Sequence, residues 1–254
     1  MGGQGKRRVS GRVLQVVQAG VVPYAEALAW QRDLAQARIE ARIPHDMLLL
    51  LEHPPVLTLG RNSRDTHVLP SAGVDVFEVE RGGDVTFHGP GQLVGYPILD
   101  LTGYKQDLHW YLRALEQALI DALRTLGIAA DRNPGYTGVW TGGRKIASIG
   151  VHVKQWVTWH GFALNVTTDL SYFDRIVPCG IPGVVMTSIE RERGNGKRET
   201  SLWDETVAAV VQGFIETFGV TVLPCPEGPA RPGNASLRTP VVAEPGLQPT
   251  DSQT

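Results

Sequence analysis

Cysteine is scarce in this chain. Cys179 and Cys225 are the only two among 254 residues, and they form no Cys-x-x-Cys pair. That excludes a disulfide framework and a zinc ribbon or redox motif, and it fits a reducing compartment. Long apolar runs are also missing. None exceeds five residues, as at Met47–Leu51, far short of the roughly 20 residues a membrane helix needs. The opening MGGQGKRR has no apolar stretch after its basic residues, so no secretory signal is read there. Lys6 stands where a myristoylation pattern requires Ser or Thr. No charge of one sign dominates: 24 Lys and Arg face 26 Asp and Glu, net −2. No basic field therefore argues for nucleic acid. The histidines, among them His53, His88, His152 and His160, are scattered without a His-Glu-x-x-His motif, and no Walker sequence occurs. The expectation is a cytoplasmic protein with no metal, no cofactor, no nucleic-acid partner and no membrane partner.

What is present reads as one domain between two polar ends. Residues 1–11 are Gly-rich and polar, and residues 224–254 are rich in proline and small polar residues. Both are expected to be disordered, leaving 12–223 as a catalytic domain. Within it, apolar periodicity predicts helices over 24–43, stopped by Pro44, over 107–126, and over 201–218 with a Ser201/Asp204 capping box. A short helix is expected at 169–175 and a loop at 131–138. Strand-like runs fall at 13–17, 47–52, 56–59, 75–80 with Val76 or its neighbours inward, 84–87, 93–99, 138–141, 144–153 and 156–166. Helices interspersed with clusters of strands, without strict alternation, argue an α+β fold with a mixed β-sheet packed with helices.

His88-Gly89-Pro90-Gly91 with Gly95 has the look of a dinucleotide loop, but β-type residues and Pro97 follow it instead of a helix. That reading is rejected. The stretch 138–188 holds the chemistry. Lys145 opens an alternating strand, and Cys179 lies between Pro178 and Gly180. A free thiol has a pKa near ~8.5, so a nucleophilic cysteine needs a cation or base beside it. No Cys/His protease signature is present. Lysine can both stabilise a thiolate and, when burial lowers its pKa, accept a proton. Such a pair titrates as one coupled unit. On spacing alone, a small buried apolar cysteine is the commoner reading.

Long motifs alter that balance. EHPPVLTLGR (52–61), RGGDVTFHGPGQLVGYPILDL (81–101), GRKIASIGVHV (143–153), HGFALNV (160–166) and PCGI (178–181) resemble the lipoyl(octanoyl) transferase family, related to the biotin/lipoate protein ligase catalytic domain. The resemblance implies an acyltransferase that moves octanoyl from acyl carrier protein, through a thioester, to the lysine of lipoyl domains in 2-oxoacid dehydrogenase complexes and in the glycine cleavage H protein. It implies Cys179 and Lys145 as the catalytic pair. It implies a substrate pocket walled by Arg81, Gly82, Gly83, Asp84, Val85, Thr86, Phe87 and His88, by Ser148, Ile149 and Gly150, and by Gly161, Phe162 and Ala163. His53 and His160 are further candidates, and Phe87, Phe162 or Leu164 would set the pocket depth. The charged run 190–200, read as a solvated hairpin or loop, is expected to join Arg144, Lys154 and Arg175 in a basic rim for an acidic carrier.

Overall fold

The computed structural model describes residues 11–63, 73–176, 183–194 and 201–225. Its strands are β1 (Arg12–Val21), β2 (Asp46–Glu52), β3 (Val56–Leu59), β4 (Asp75–Glu78), β5 (Thr86–His88), β6 (Gln92–Ile98), β7 (Asp131–Asn133), β8 (Tyr136–Thr141), β9 (Arg144–Lys154), β10 (Val157–Asn165) and β11 (Val220–Pro224). Its helices are α1 (Tyr24–Ile39), α2 (Leu108–Thr125), α3 (Ile189–Arg193) and α4 (Leu202–Phe218). Among the described residues an eight-stranded sheet runs β11-β1-β2-β6-β10-β9-β8-β7, and a three-stranded sheet runs β4-β3-β5. β1 pairs parallel with β2 and with β11, whereas β6, β10, β9 and β8 pair antiparallel. The mixed α+β architecture is the one expected.

The apolar run of β2 is explained by its place in the middle of the sheet, covered on both faces. Leu48 and Leu50 turn toward α2 and α4, while Met47, Leu49 and Leu51 turn toward α1. Each such buried side chain contributes about 1.5–3 kcal/mol. On one side, α2 supplies Leu115, Leu119 and Leu123, and α4 supplies Val207, Val210 and Phe214. On the other, α1 supplies Ala27, Trp30 and Leu34. The small sheet and the 3-10 turn Leu170–Arg175 share a separate cluster of Leu57, Val85, Phe87, Phe173, Ile176 and Met186. No helix of the described residues is long and apolar enough to cross a membrane.

Several local expectations need correction. Helix α1 ends at Ile39, before Pro44. Arg42 N–H bonds back to Ala37 O at 2.8 Å and Ala41 N–H to Arg38 O at 3.2 Å, with Ala41 at φ 55°. This is a Schellman closure with alanine in the left-handed position glycine usually takes. Ser201 does not cap α4: its backbone is already helical (φ −80°, ψ −18°), whereas a capping residue needs extended dihedrals. Its hydroxyl serves Glu205 instead. The loop expected at 131–138 is the β7–β8 hairpin, turned by Pro134-Gly135 with Gly135 at φ 87°, as a type II turn requires. The inward side chain expected at Val76 or a neighbour is that of Phe77, which turns toward Tyr24, while Val76 is 46% exposed. Pro224 lies within β11, and Cys225 N–H bonds Val16 O at 3.1 Å, so the ordered sheet passes the expected boundary at 223. Ile189–Arg193 is helical, capped by Ser188. The amino-terminal ten residues and those after Cys225 lie outside the described residues.

Candidate functional site

A cavity of about 280 Å³ opens between the face of the large sheet and the small sheet. Its floor is made of small residues on neighbouring strands: Ser148 and Gly150 on β9, Gly161 and Ala163 on β10. Only small side chains leave room there for a ligand. The turn Arg81–Gly83 crosses over β9 and is tied to it by Gly82 N–H to Val151 O at 2.9 Å. Thr86 and His88 of β5 form the opposite wall, with Tyr24 at the start of α1 and Tyr96 of β6.

Lys145 borders this cavity with only 1% of its surface exposed. Its backbone is fixed from both sides. Lys145 N–H donates to Val185 O at 2.8 Å, and Lys145 O accepts from Thr187 N–H at 2.9 Å, a parallel bridge to Met186. The Nζ lies 5.6 Å from the centroid of the Trp140 ring, within cation–π range. Cys179, with Pro178 and Gly180, lies outside the described residues.

A chain of buried polar groups runs behind the cavity wall. Arg81 Nη2 donates to Thr58 Oγ1 at 2.8 Å and to Thr58 O at 2.7 Å. Thr58 Oγ1 stands 3.4 Å from His88 Nε2. His88 Nδ1 is 2.8 Å from Gln92 Oε1, which can only accept, so Nδ1 carries the proton. Gln92 Nε2 donates to Asn165 Oδ1 at 2.9 Å, and Asn165 Nδ2 donates to Thr187 O at 2.9 Å. Every donor in this series points the same way, from the cavity toward the segment paired with Lys145. Burial, with His53, Arg81 and His160 nearby, pushes the His88 pKa well below the usual histidine value, so the ring is neutral.

His160 has an unusual backbone for a strand residue, φ 56°, a conformation that costs about 1–3 kcal/mol and collects at functional sites. Its N–H turns to Gln31 Oε1 at 2.9 Å. Its Nε2 is 3.8 Å from Glu80 Oε1. Burial lowers the His160 pKa. Glu80 is held well below the ordinary carboxylate range by His160, by the two-point pair with Arg32 at 2.6 and 2.9 Å, and by the Trp159 indole at 2.8 Å. Burial also raises the Tyr24 hydroxyl to about 12.

Of the residues the sequence nominated, Arg81, Gly83, Asp84, Thr86 and His88 border the cavity, as do Lys145 and Ser148–Gly150 on β9 and His160–Ala163 on β10. Gly82, Val85, Phe87 and His53 do not. Val85 and Phe87 belong to the apolar cluster behind it, where Phe87 stacks on Tyr172 at 4.4 Å. His53 bridges Val22 O and the Tyr96 hydroxyl, both at 2.7 Å. Among the three side chains expected to set depth, Phe162 alone borders the cavity, and its ring packs 6.0 Å from Phe214 in the helix-side core. Arg144 is engaged by Glu192 at 2.8 and 2.9 Å. Unforeseen were Tyr24, Tyr96, Asn62 and the hairpin residues Gly135–Thr137 at the cavity edge. The Pro-Gly turn at 134–135 was the available signal for the last of these. Among the described residues no group of three His, Cys, Asp or Glu could hold a metal ion.

The family model for the lipoyl protein ligase A/B catalytic domain matches residues 23–218. An octanoyltransferase from Gloeobacter violaceus is 51% identical over 215 residues, 84% of this chain and 94% of that protein. One from Geobacter sulfurreducens is 56% identical over 181 residues, 71% and 76% of the two chains. Among solved structures, a putative lipoate protein ligase from Thermoplasma acidophilum with bound lipoic acid superposes with a TM-score of 0.65 at 18% identity, covering 85% of this chain and 89% of that one. Lipoate-protein ligase A bound with ATP gives 0.63 at 18% identity, covering 85% and 90%. These two likenesses bear on the fold alone. By the extent of the family match and the identity to its relatives, this chain belongs to the lipoyl protein ligase A/B catalytic-domain family.

Proposed function

We propose that this protein is an octanoyltransferase of protein lipoylation, acting in the cytoplasm through Cys179 and Lys145. The observation that carries the reading is Lys145, buried in a cavity wall and hydrogen-bonded through its backbone to Val185 and Thr187, shortly after Cys179 in the chain. On the other side, Ile176 is buried against Val85 and Phe87, three residues before Cys179, a reach of at most ~11 Å. The identity to octanoyltransferases over most of the chain supports the same reading.

The reaction is two-step acyl transfer. The Cys179 thiolate attacks the thioester carbonyl of octanoyl-acyl carrier protein, and the carrier thiolate leaves with a proton from the Lys145 ammonium. Neutral Lys145 then takes a proton from the acceptor lysine of a lipoyl domain or of the glycine cleavage H protein. That amine attacks the octanoyl-Cys179 thioester, its nitrogen loses a second proton to solvent as the amide forms, and the Cys179 thiolate is released. The octanoyl chain lies over the small-residue floor of Ser148, Gly150, Gly161 and Ala163. Seven buried methylenes provide about 5–6 kcal/mol before ordering costs. The turn Arg81–Asp84 with Thr86 and His88 forms the other wall, and Gly82, Val85 and Phe87 support it from behind.

Intact-mass spectrometry after incubation with octanoyl-acyl carrier protein tests this. One added octanoyl group, lost in Cys179→Ala, is expected, with subsequent transfer to a lipoyl domain lost in Lys145→Ala. Transfer that requires ATP and survives Cys179→Ser would replace this reading with that of an adenylate-forming ligase. The absence of any turnover with either protein substrate would leave an acyl-binding protein.

A further inference from the structure

Glu116 is a wholly buried carboxylate (0% exposed) on a helix whose neighbouring core residues are Leu115 and Leu119. Burying an ion costs several kcal/mol unless it is fully partnered. Glu116 has three partners. Its Oε2 accepts from Arg113 Nη1 at 2.6 Å and from Arg132 Nε at 2.9 Å, and its Oε1 accepts the backbone N–H of Gly138 at 3.1 Å.

The third partner is the informative one. Gly138 lies on β8 where the pairing register shifts on both sides, between Val139 and Trp140 against β9 and between Asp131 and Asn133 on β7. A buried N–H at such an irregularity needs an acceptor from outside the ladder, and Glu116 supplies it from the helix layer. Gly138 sits at φ 132°. A Cβ added there would meet Ala147 O at 2.6 Å, Lys145 Cε at 2.8 Å and Lys145 Nζ at 3.4 Å. The lysine stem therefore lies directly against the Gly138 main chain, and its Nζ is 5.6 Å from the centroid of the Trp140 ring.

We propose that Glu116 is a positioning residue. By holding Gly138, it fixes the surface on which the Lys145 side chain rests and so delivers the amine to the cavity. This rests on the reading of Lys145 as the proton-transfer group. Removal of the carboxylate would free the Gly138 peptide to rotate. A misplacement of about 1 Å is enough to lower turnover on the order of a hundredfold.

Three variants of the full chain test it: Glu116→Leu, which removes the acceptor; Glu116→Gln, which keeps an oxygen for Gly138 N–H; and Gly138→Ala, which disturbs the same contact from the other side. The readouts are kcat and KM for octanoyl transfer, the melting temperature, and the rate at which an N-hydroxysuccinimide acetate labels Lys145, read by peptide mass spectrometry. Glu116→Leu and Gly138→Ala should lower kcat about tenfold or more with KM within roughly threefold, and should change Lys145 labelling relative to Lys105 and Lys154. Glu116→Gln should restore most of kcat. Wild-type kcat and labelling in a folded Glu116→Leu overturn the proposal. So does a loss of activity in all three variants that follows melting temperature while Lys145 labelling stays constant. If Glu116→Leu does not fold, the other two variants decide on the same criteria. Full turnover in Lys145→Ala would remove the proton-transfer reading, while labelling would still report whether Glu116 holds the lysine.

Discussion

Acidification should unfold this protein earlier than its carboxylates alone would dictate. His53 has its Nδ1 2.7 Å from Val22 O and its Nε2 2.7 Å from the Tyr96 hydroxyl, with no exposed surface. Burial lowers its pKa from 6.5 to about 4. A histidine whose folded pKa is depressed is neutral in the folded state while the unfolded chain takes up the proton. Stability is therefore intact above pH ~6.5 and falls as pH drops toward the folded value. At pH 4.5 the loss from His53 alone is about 2.5 kcal/mol. His88 and His160, lowered by burial, act in the same direction. Glu80 and Glu192, whose carboxyls are held low by His160 and Arg32 and by Arg144 respectively, contribute stability that is lost only below about pH 4.5. The window from about pH 6.5 to 4.5 thus isolates the histidines. Against a typical folding stability of about 5–15 kcal/mol, the loss is large. Urea unfolding at successive pH values measures it. His53→Asn retains a donor for Val22 O and should show about 2.5 kcal/mol less pH-dependent loss across that window, whatever its absolute stability. A wild-type stability that is flat from pH 7 to 4.5, or a His53→Asn slope equal to the wild type, would refute the reasoning.

Two further substitutions probe the cavity walls. A Cβ at Gly150 would stand 2.8 Å from Gly82 O and 3.2 Å from Arg81 Cδ. Gly150→Ala should therefore push the Arg81–Gly83 turn off β9, cost about 1–3 kcal/mol and raise KM for the acyl donor; unchanged melting temperature and KM would contradict it. Asn165→Ala removes the link between Gln92 and Thr187 O. It should destabilise by about 1–3 kcal/mol and lower kcat, because Thr187 is hydrogen-bonded to Lys145 O; calorimetry that shows no loss would mean another group takes over both bonds.

What could be read from the sequence, and what could not, follows from the range of the interactions involved. The runs that became β2 and β6 were legible because a buried strand is apolar at adjacent positions, β9 because it alternates from Lys145 onward, and α2 and α4 because their core residues recur at helical spacing. The cavity floor was legible through the resemblance of 143–153 and 160–166 to the lipoyl(octanoyl) transferase family, and the small side chains of Ser148, Gly150, Gly161 and Ala163 give it a physical reason. Glu116 and Gln31 were not. Each falls on the buried face of a helix, 0% exposed, where periodicity gives only the face and a polar residue reads as solvated. Their partners are far off in the chain: Gly138 N–H for Glu116, and His160 N–H for Gln31, 129 residues away. Both partners are backbone groups with positive φ on strands that border the cavity or the lysine beside it. A strand distorted to shape a site turns an N–H out of the ladder, and that donor must find an acceptor. Here the two helix layers, one on each face of the sheet, each send a buried polar side chain to meet such a donor, Gln31 from α1 and Glu116 from α2. Sequence periodicity records the layers; the polar exceptions within them mark where the sheet departs from regularity to make room for chemistry.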